Sequence, residues 1–294
     1  MSRSGFVALA GRPNAGKSTL VNQIVGGKVA IVSDKPQTTR REIRGVASGD
    51  DWQLVLVDLP GVQRPRDALT ERMQRQVERT LADADAALFV LNGEQEIGAG
   101  DRFIAEALRT SGVPTVTVLN KVDRLNTPRT VEALSAAAGL DVQGELFPIS
   151  AINGEGVGVV VEQLIALMPE GPFLYPREET SDQSLEVRLA ELVREQVLLR
   201  TREEVPHAVE VEIDEIDERE SDGLLVVRAR VWAETASQKG ILVGAGGKMV
   251  RAVGTAARKE IEGLLDRRVH LDLNVRVRKG WRCDEGLLDR LGIE

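Results

Sequence analysis

Eight consecutive residues near the N-terminus, Gly11-Arg12-Pro13-Asn14-Ala15-Gly16-Lys17-Ser18, fit the pattern G-x-x-x-x-G-K-[ST]. They follow an apolar run and open a helical pattern. In that context the loop turns its backbone N–H groups toward phosphate oxygens. Lys17 would neutralise charge on the β- and γ-phosphates, and the Ser18 hydroxyl would bind Mg²⁺. From average composition, four specified positions recur by chance in about 1% of chains this long, so an accidental glycine turn is a poor account of them.

Asp58-Leu59-Pro60-Gly61 closes a later apolar run. An Asp at the C-terminal end of a parallel strand is placed to hold Mg²⁺ through water, and the Gly61 N–H can meet a γ-phosphate. Alone, these four residues also make an ordinary turn; their meaning comes from following a phosphate loop. Asn120-Lys121-Val122-Asp123 ends another apolar run and discriminates between bases. Guanine presents two adjacent donors, N1–H and N2–H₂, that one carboxylate such as Asp123 accepts together. Adenine lacks the pair and would leave a buried acceptor unsatisfied. Asn120 would support the base loop. Ser150-Ala151 follows one strand later, where a backbone N–H could reach the guanine O6. In Gln37-Thr38-Thr39-Arg40, between the first helix and the second strand, a Thr hydroxyl could complete the Mg²⁺ coordination; spacing favours Thr39 over Thr38.

A separate feature lies far downstream. Gly244-Ala245-Gly246-Gly247 interrupts two helical stretches inside a basic block. Glycines let the backbone approach a sugar-phosphate chain, and the helix that follows presents its N-terminus to anions. Lys239, Lys248, Arg251 and Arg258 would add charge. Although the chain has a net charge of −8, residues 228–282 hold 13 basic and 5 acidic residues, whereas 178–222 hold 5 and 16. One basic face on an acidic protein suggests a polyanionic partner. A solvated helix face is the plainer reading of the charge alone.

The elements that must position these groups fall into two patterns. Continuous apolar runs at 5–10, 52–60, 85–92, 114–123 and 146–150 read as strands buried on both faces, alternating with helical stretches such as 70–85, 101–112 and 161–168. This predicts an α/β P-loop NTPase domain with a doubly wound, mostly parallel sheet over residues 1–171. Residues 172–184, rich in Pro, polar and charged residues, read as a linker. Residues 185–294 follow the order α-β-β-α-α-β with a short terminal helix. They comprise an amphipathic helix at 185–201, alternating strands at 207–218, 224–234 and 267–280, and two helices on either side of the glycine cluster. A GxxG loop in that order fits the KH module, an α+β domain that clamps about four nucleotides.

Composition narrows the class further. The 294 residues are 42% hydrophobic and 29% charged but only 3% aromatic, which predicts aliphatic cores. No apolar run reaches the roughly 18 residues of a membrane span, and the N-terminus lacks signal-peptide character. The single cysteine, Cys283, cannot form an intramolecular disulfide, and no Cys/His cluster offers a zinc site. His207 and His270 each read as packing or surface residues.

Taken in order, GRPNAGKS, KPQTTR (35–40), DLPG, NKVD, SA, REEVPHAVEVE (202–212), the GxxG loop and VHLDLNVRVRKGW (269–281) resemble the Era family across essentially the whole chain. These are bacterial GTPases with a Ras-like G domain and a C-terminal type II KH domain. The resemblance implies GTP and GDP binding with Mg²⁺, GTP hydrolysis, and binding of small-subunit (16S) ribosomal RNA near its 3′ end during maturation and assembly of the small ribosomal subunit. It also implies a cytoplasmic protein with partial association at the inner face of the membrane, and a monomer is expected. Asn14 stands where some related GTPases hold K⁺. Val62 stands where Ras-type enzymes carry a water-orienting Gln, so intrinsic turnover is expected to be slow. Leu59 replaces the usual family Thr, and Gly-Ala-Gly-Gly lacks the basic or amide residue often found inside the loop. A nucleotide kinase would share the phosphate loop but not NKVD. A tRNA-modification GTPase would need extra domains and a C-terminal cysteine motif. A constitutive RNA scaffold with an uncoupled GTPase remains the alternative within the same fold.

Overall fold

The computed structural model describes residues 2–35, 38–61, 67–219 and 221–293. The chain divides into two compact units, the first holding the described residues up to Asp182 except Asp67–Leu69, which group with Gln183–Ile293 in the second. In the first, β1 (Arg3–Ala10), α1 (Lys17–Val25), β2 (Ile43–Ser48), β3 (Trp52–Asp58), α2 (Ala68–Asp83), β4 (Ala86–Asn92), α3 (Ala99–Ser111), β5 (Thr115–Asn120), α4 (Thr127–Ala138), β6 (Leu146–Pro148) and α5 (Val157–Leu167) follow in chain order. The sheet order is β2-β3-β1-β4-β5-β6, parallel throughout except for β2, which runs antiparallel to β3.

Strand periodicity builds two cores from one sheet. Val7 and Leu9 of β1 pack with Leu20 of α1 and Val160 and Leu164 of α5. Ala8 and Ala10 face the other way, toward Val77 and Leu81 of α2 and Ile104 and Leu108 of α3. Both faces are covered, which is why these strands read as unbroken apolar runs. The segments containing Gly11–Ser18, Asp58–Gly61, Asn120–Asp123 and Ser150–Ala151 all leave the same edge of the sheet, the C-terminal ends of β1, β3, β5 and β6. In an open α/β sheet that edge is where ligands bind.

Two elements here escape the periodicity reading. Strand β2 carries an arginine and a glycine among its six residues, which hides its alternation; a Cβ on Gly45 would lie 2.8 Å from Val21 Cγ1, so glycine lets the strand approach α1. Helix α4 buries only Ala137 of its twelve residues and so shows little apolar stripe, although Asn126 caps it and Pro128 sits in its first turn. Residues 172–182, linker-like in composition, belong to the first unit. The Val46 N–H donates to Thr180 O at 2.9 Å. Buried Gln53 accepts from Leu174 and Tyr175 N–H at 2.7 and 2.9 Å.

In the second unit, α6 (Leu185–Arg200) precedes β7 (Glu210–Arg219), β8 (Leu224–Ala233), α7 (Ala236–Val243), α8 (Lys248–Leu265), β9 (Val269–Val277) and α9 (Glu285–Arg290). The sheet order is β7-β8-β9, with β7 antiparallel and β9 parallel to β8. Leu189, Val193 and Val197 of α6 meet Val253, Ala257 and Ile261 of α8 over Val227 and Val231 of β8. Two expectations are corrected. Helix α6 is not amphipathic, because every residue from Leu189 to Leu198 is buried. Its charges are taken inside as a cluster: Arg194 pairs with Glu191 at 2.7 Å and lies 3.6 Å from Glu210. The alternation of β7 is not continuous either, since a bulge shifts the register between Ile213 and Glu215.

Candidate nucleotide site and glycine-loop surface

A cavity of 390 Å³ opens at the C-terminal edge of the first sheet, lined among others by Pro13, Asn14, Gly16, Lys17, Ser18, Thr39, Gly61, Asn120, Lys121, Asp123 and Ala151. Its floor is the loop between β1 and α1. Gly16 has φ +98, and a Cβ there would fall 2.2 Å from Asn120 Nδ2; a Cβ on Gly61 would fall 2.8 Å from Pro13 Cγ. The chain therefore has room to turn only because these positions lack side chains. Lys17 is buried, with its Nζ donating to Gly11 O at 3.0 Å and Arg12 O at 3.3 Å. Burial lowers its pKa from the ordinary lysine value, opposed by the Asp58 carboxylate.

Three oxygens converge beside it. Ser18 Oγ donates to Asp58 Oδ2 at 2.6 Å, Thr39 Oγ1 donates to the same oxygen at 3.1 Å, and the two hydroxyls lie 3.2 Å apart. Thr38 takes no part: its hydroxyl donates to Lys35 O at 2.6 Å. Two hydroxyls and one carboxylate are hard oxygen donors of the kind Mg²⁺ accepts alongside waters and phosphate oxygens, so the donor set fits that ion. Gln37 and Val62 lie outside the described residues.

At the far end, Asn120 joins three segments. Its Nδ2 donates to Ala15 O at 2.9 Å, while Oδ1 accepts from Lys121 N–H at 2.8 Å and Ala151 N–H at 2.9 Å. A backbone N–H of Ser150-Ala151 is the group expected to reach the guanine O6; the Ala151 N–H is committed to Asn120. Asp123 lines the cavity with Lys121, which stands at φ +69, whereas Val122 helps pack the opposite core. Ser150 is fully buried, and its N–H donates to Glu155 O.

Some loop residues serve the site indirectly. The Arg12 guanidinium pairs with Asp101 at 2.9 Å, so its side chain braces α3 and only its backbone serves the loop. Leu59 is 1% exposed and packs in the core, while Pro60 is buried behind Gly61. Asn92, Glu94, Asp34 and Ile152 also line the cavity and carry no motif signal. Glu94 pairs with Lys121 at 3.1 Å and Arg124 at 3.3 Å. The Lys121 hydrogen bond holds its carboxyl below the usual range, against a smaller opposing effect of desolvation.

In the second unit, Gly244 (φ +70) closes α7 and α8 begins at Lys248. A Cβ on Gly244 would lie 2.8 Å from Met249 Cβ, while Gly246 and Gly247 face open space at positive φ. Ala245 is exposed beside them. A groove of 370 Å³ runs from Gly247 past Arg251 and Gly254 to His270 and Leu273 of β9. Arg258 lines it but is held by Glu262 at 2.9 Å. Among the described residues, Lys239, Lys248 and Arg251, on the helices that flank the glycine loop, have no acidic partner. Arg228, Arg230, Arg267 and Arg278 are instead paired with acids.

A family model described as 50S ribosome-binding GTPase matches residues 6–121, and a KH domain model matches residues 204–282. The chain is 46% identical over 295 residues to the GTPase Era of Mycobacterium tuberculosis, covering 99% of this chain and 98% of the relative. The chain belongs to the Era family of GTPases. A solved Era from Aquifex aeolicus, a point variant bound to GDP·AlF₄⁻, superimposes with a TM-score of 0.95 at 31% identity and covers 99% of each chain. An Era in complex with MgGDPNP and nucleotides 1506–1542 of 16S ribosomal RNA matches with a TM-score of 0.96 at 31% identity, over 100% of this chain and 99% of that one. The Era fold, a P-loop GTPase domain followed by a KH domain, is therefore the fold of this chain.

Proposed function

We propose that the chain is a GTP-hydrolysing switch that binds small-subunit ribosomal RNA near its 3′ end and assists maturation and assembly of that subunit. The observation that carries the reading is one cavity in which a base-reading carboxylate, Asp123, shares walls with the buried Lys17 and with Ser18 and Thr39. The Era relative held with MgGDPNP and a 16S fragment supports the RNA assignment.

In this reading the chain's own residues position and neutralise. Asp123 accepts from guanine N1–H and N2–H₂, and Lys17 faces the β- and γ-phosphates with the backbone N–H groups of residues 14–18. Ser18 and Thr39 would hold Mg²⁺ directly and Asp58 through water; when bound, the ion neutralises charge on the phosphate oxygens. Gly61 N–H stabilises charge on the γ-phosphate as water attacks in line. A triphosphate would turn the Thr39 hydroxyl from Asp58 onto the metal, which couples the loop to the state of the nucleotide. In the KH domain, Gly244–Gly247, Lys239, Lys248 and Arg251 contact the sugar-phosphate chain, and Arg258 borders the groove.

Potassium belongs to the same proposal. Asn14 Nδ2 donates to Asp34 O at 2.7 Å, which leaves its Oδ1 for a monovalent cation beside the phosphates. Faster hydrolysis in K⁺ than in Na⁺, lost in Asn14→Ala, is the expected result. A monomer, cytoplasmic with peripheral attachment to the inner membrane face, is the family expectation; among the described residues no helix is long and apolar enough to cross a membrane. Cell fractionation and light scattering test it.

The deciding experiment titrates single-stranded RNA copying the 3′ end of the small-subunit RNA against protein loaded with GDP or a non-hydrolysable GTP analogue, at one salt concentration. Tighter binding in the triphosphate state supports the switch. Equal binding makes the protein a constitutive RNA scaffold, and no binding removes the RNA assignment.

A further inference from the structure

The four residues that follow the core of β4, Asn92-Gly93-Glu94-Gln95, contain no recognised nucleotide motif, yet they touch both walls of the cavity. Asn92 Nδ2 donates to Asn14 O at 3.3 Å, on the phosphate-loop side. Asn92 Oδ1 accepts from Glu94 N–H at 3.0 Å, and Asn92 O accepts from Gln95 N–H at 3.1 Å, so the turn is closed on itself. Gly93 N–H donates to Asn120 O at 2.9 Å; a Cβ on Gly93 would fall 2.9 Å from that oxygen, which requires glycine there. Glu94 then reaches across to the base side. Its Oε2 holds Lys121 Nζ at 3.1 Å, and its Oε1 accepts from Arg124 Nη1 at 3.3 Å.

We propose that Glu94 is a positioning residue for nucleotide retention: its carboxylate fixes the Lys121 side chain as a wall of the base pocket, and Asn92 ties that wall to the phosphate loop. Three observations combine. Lys121 has a left-handed backbone, φ +69, which turns its side chain out of the strand direction and into the cavity lining. A lysine stem has many rotamers, and an anchored ammonium removes most of them before the ligand arrives, which lowers the entropic cost of binding. The anchor is shared with Arg124, so one carboxylate orders two cations on the same loop. The Glu94 side chain is 34% exposed, so each pair alone is weak, and the effect belongs to the network.

This inference rests on the reading of the cavity as a guanine-nucleotide site. The test measures the release rate of fluorescent GDP from the full chain in wild-type, Glu94→Gln, Glu94→Ala, Lys121→Met and Glu94→Ala/Lys121→Met forms. Glu94→Gln keeps the shape and guards against a folding defect. Release about threefold to tenfold faster in both Glu94 variants is expected, with the double variant no faster than the faster single one. A merely structural Glu94 would instead give independent effects that multiply in the double variant. Unchanged release in Glu94→Ala, or full multiplication, overturns the positioning role while leaving the nucleotide site intact. A wild-type chain that does not retain GDP overturns the nucleotide reading itself, and with it this inference.

Discussion

The side-chain amide of Asn120 donates to the carbonyl of Ala15 at 2.9 Å, joining two loops 105 residues apart in the chain. The same side chain accepts from Ala151 N–H, so one buried amide holds the phosphate loop, the base loop and the loop after β6 in register. Asn120→Ala leaves buried partners without a hydrogen bond, at about 1–3 kcal/mol each. Urea unfolding of the nucleotide-free protein should show a loss of about 2–4 kcal/mol. Asn120→Asp keeps the acceptor but turns a carboxylate oxygen onto the Ala15 carbonyl in a buried site, so its loss at neutral pH should be at least as large as that of Asn120→Ala.

In the proposed site Asp123 would set the base by accepting two adjacent donors. Asp123→Asn places an amide where guanine presents N2–H₂, two donors facing each other. GTP affinity should fall by about a hundredfold or more. Xanthine nucleotides, which carry an acceptor at that position, should bind the variant better than the wild type. Competition with unlabelled GTP and XTP reads both changes.

The convergence of Ser18, Thr39 and Asp58 predicts how Mg²⁺ dependence divides. Ser18→Ala should largely abolish the difference in GDP affinity between Mg²⁺ and a chelator. Thr39→Ala should leave that difference in place and weaken only the triphosphate analogue. Equal effects on both nucleotides would place Thr39 outside the phosphate-sensing machinery.

Lys17 gives a pH dependence whose sign can be worked out. Burial lowers its pKa in the free protein, and a bound phosphate would raise it again. Binding then takes up a proton wherever the free ammonium has begun to deprotonate. Affinity should fall as pH rises through the lowered pKa and level off only above the value in the complex. Calorimetry in two buffers of different ionisation enthalpy should show net proton uptake at alkaline pH.

The glycine loop separates folding from RNA contact. Gly246 and Gly247 face open space, so Gly246→Asp/Gly247→Asp adds negative charge at positions where Asp tolerates positive φ. RNA affinity should drop by about tenfold or more with a small change in melting temperature. Gly244→Ala, whose Cβ would meet Met249, should instead cost about 1–3 kcal/mol of stability.

Much of this protein is legible because its chemistry is local in sequence. A phosphate loop needs eight contiguous residues, and a strand buried on both faces must be apolar without a break, so β1, β3, β4 and β5 announce themselves. The αββααβ order of the second unit is likewise carried by alternation, turn residues and the glycine break. Helix α6 misleads because an ion pair to Glu210, ten residues beyond its end, lets charged positions be buried. Strand β2 is hidden because its pairing with β3 and with residues 180–181, not its own alternation, makes it a strand.

The amino-acid sequence alone carried the family resemblance, the candidate guanine-reading motif, the candidate Mg²⁺ donors and the KH-like order of elements, since each rests on residue types at recognisable spacing. Only the tertiary structure turned the Thr38 hydroxyl onto Lys35 O, withdrew the Arg12 side chain to Asp101, spent the Ala151 N–H on Asn120 and brought Glu94 to Lys121. Those outcomes depend on directions and distances between segments far apart in the chain, and a hydrogen bond or ion pair exists only once folding has brought its partners within about 3 Å.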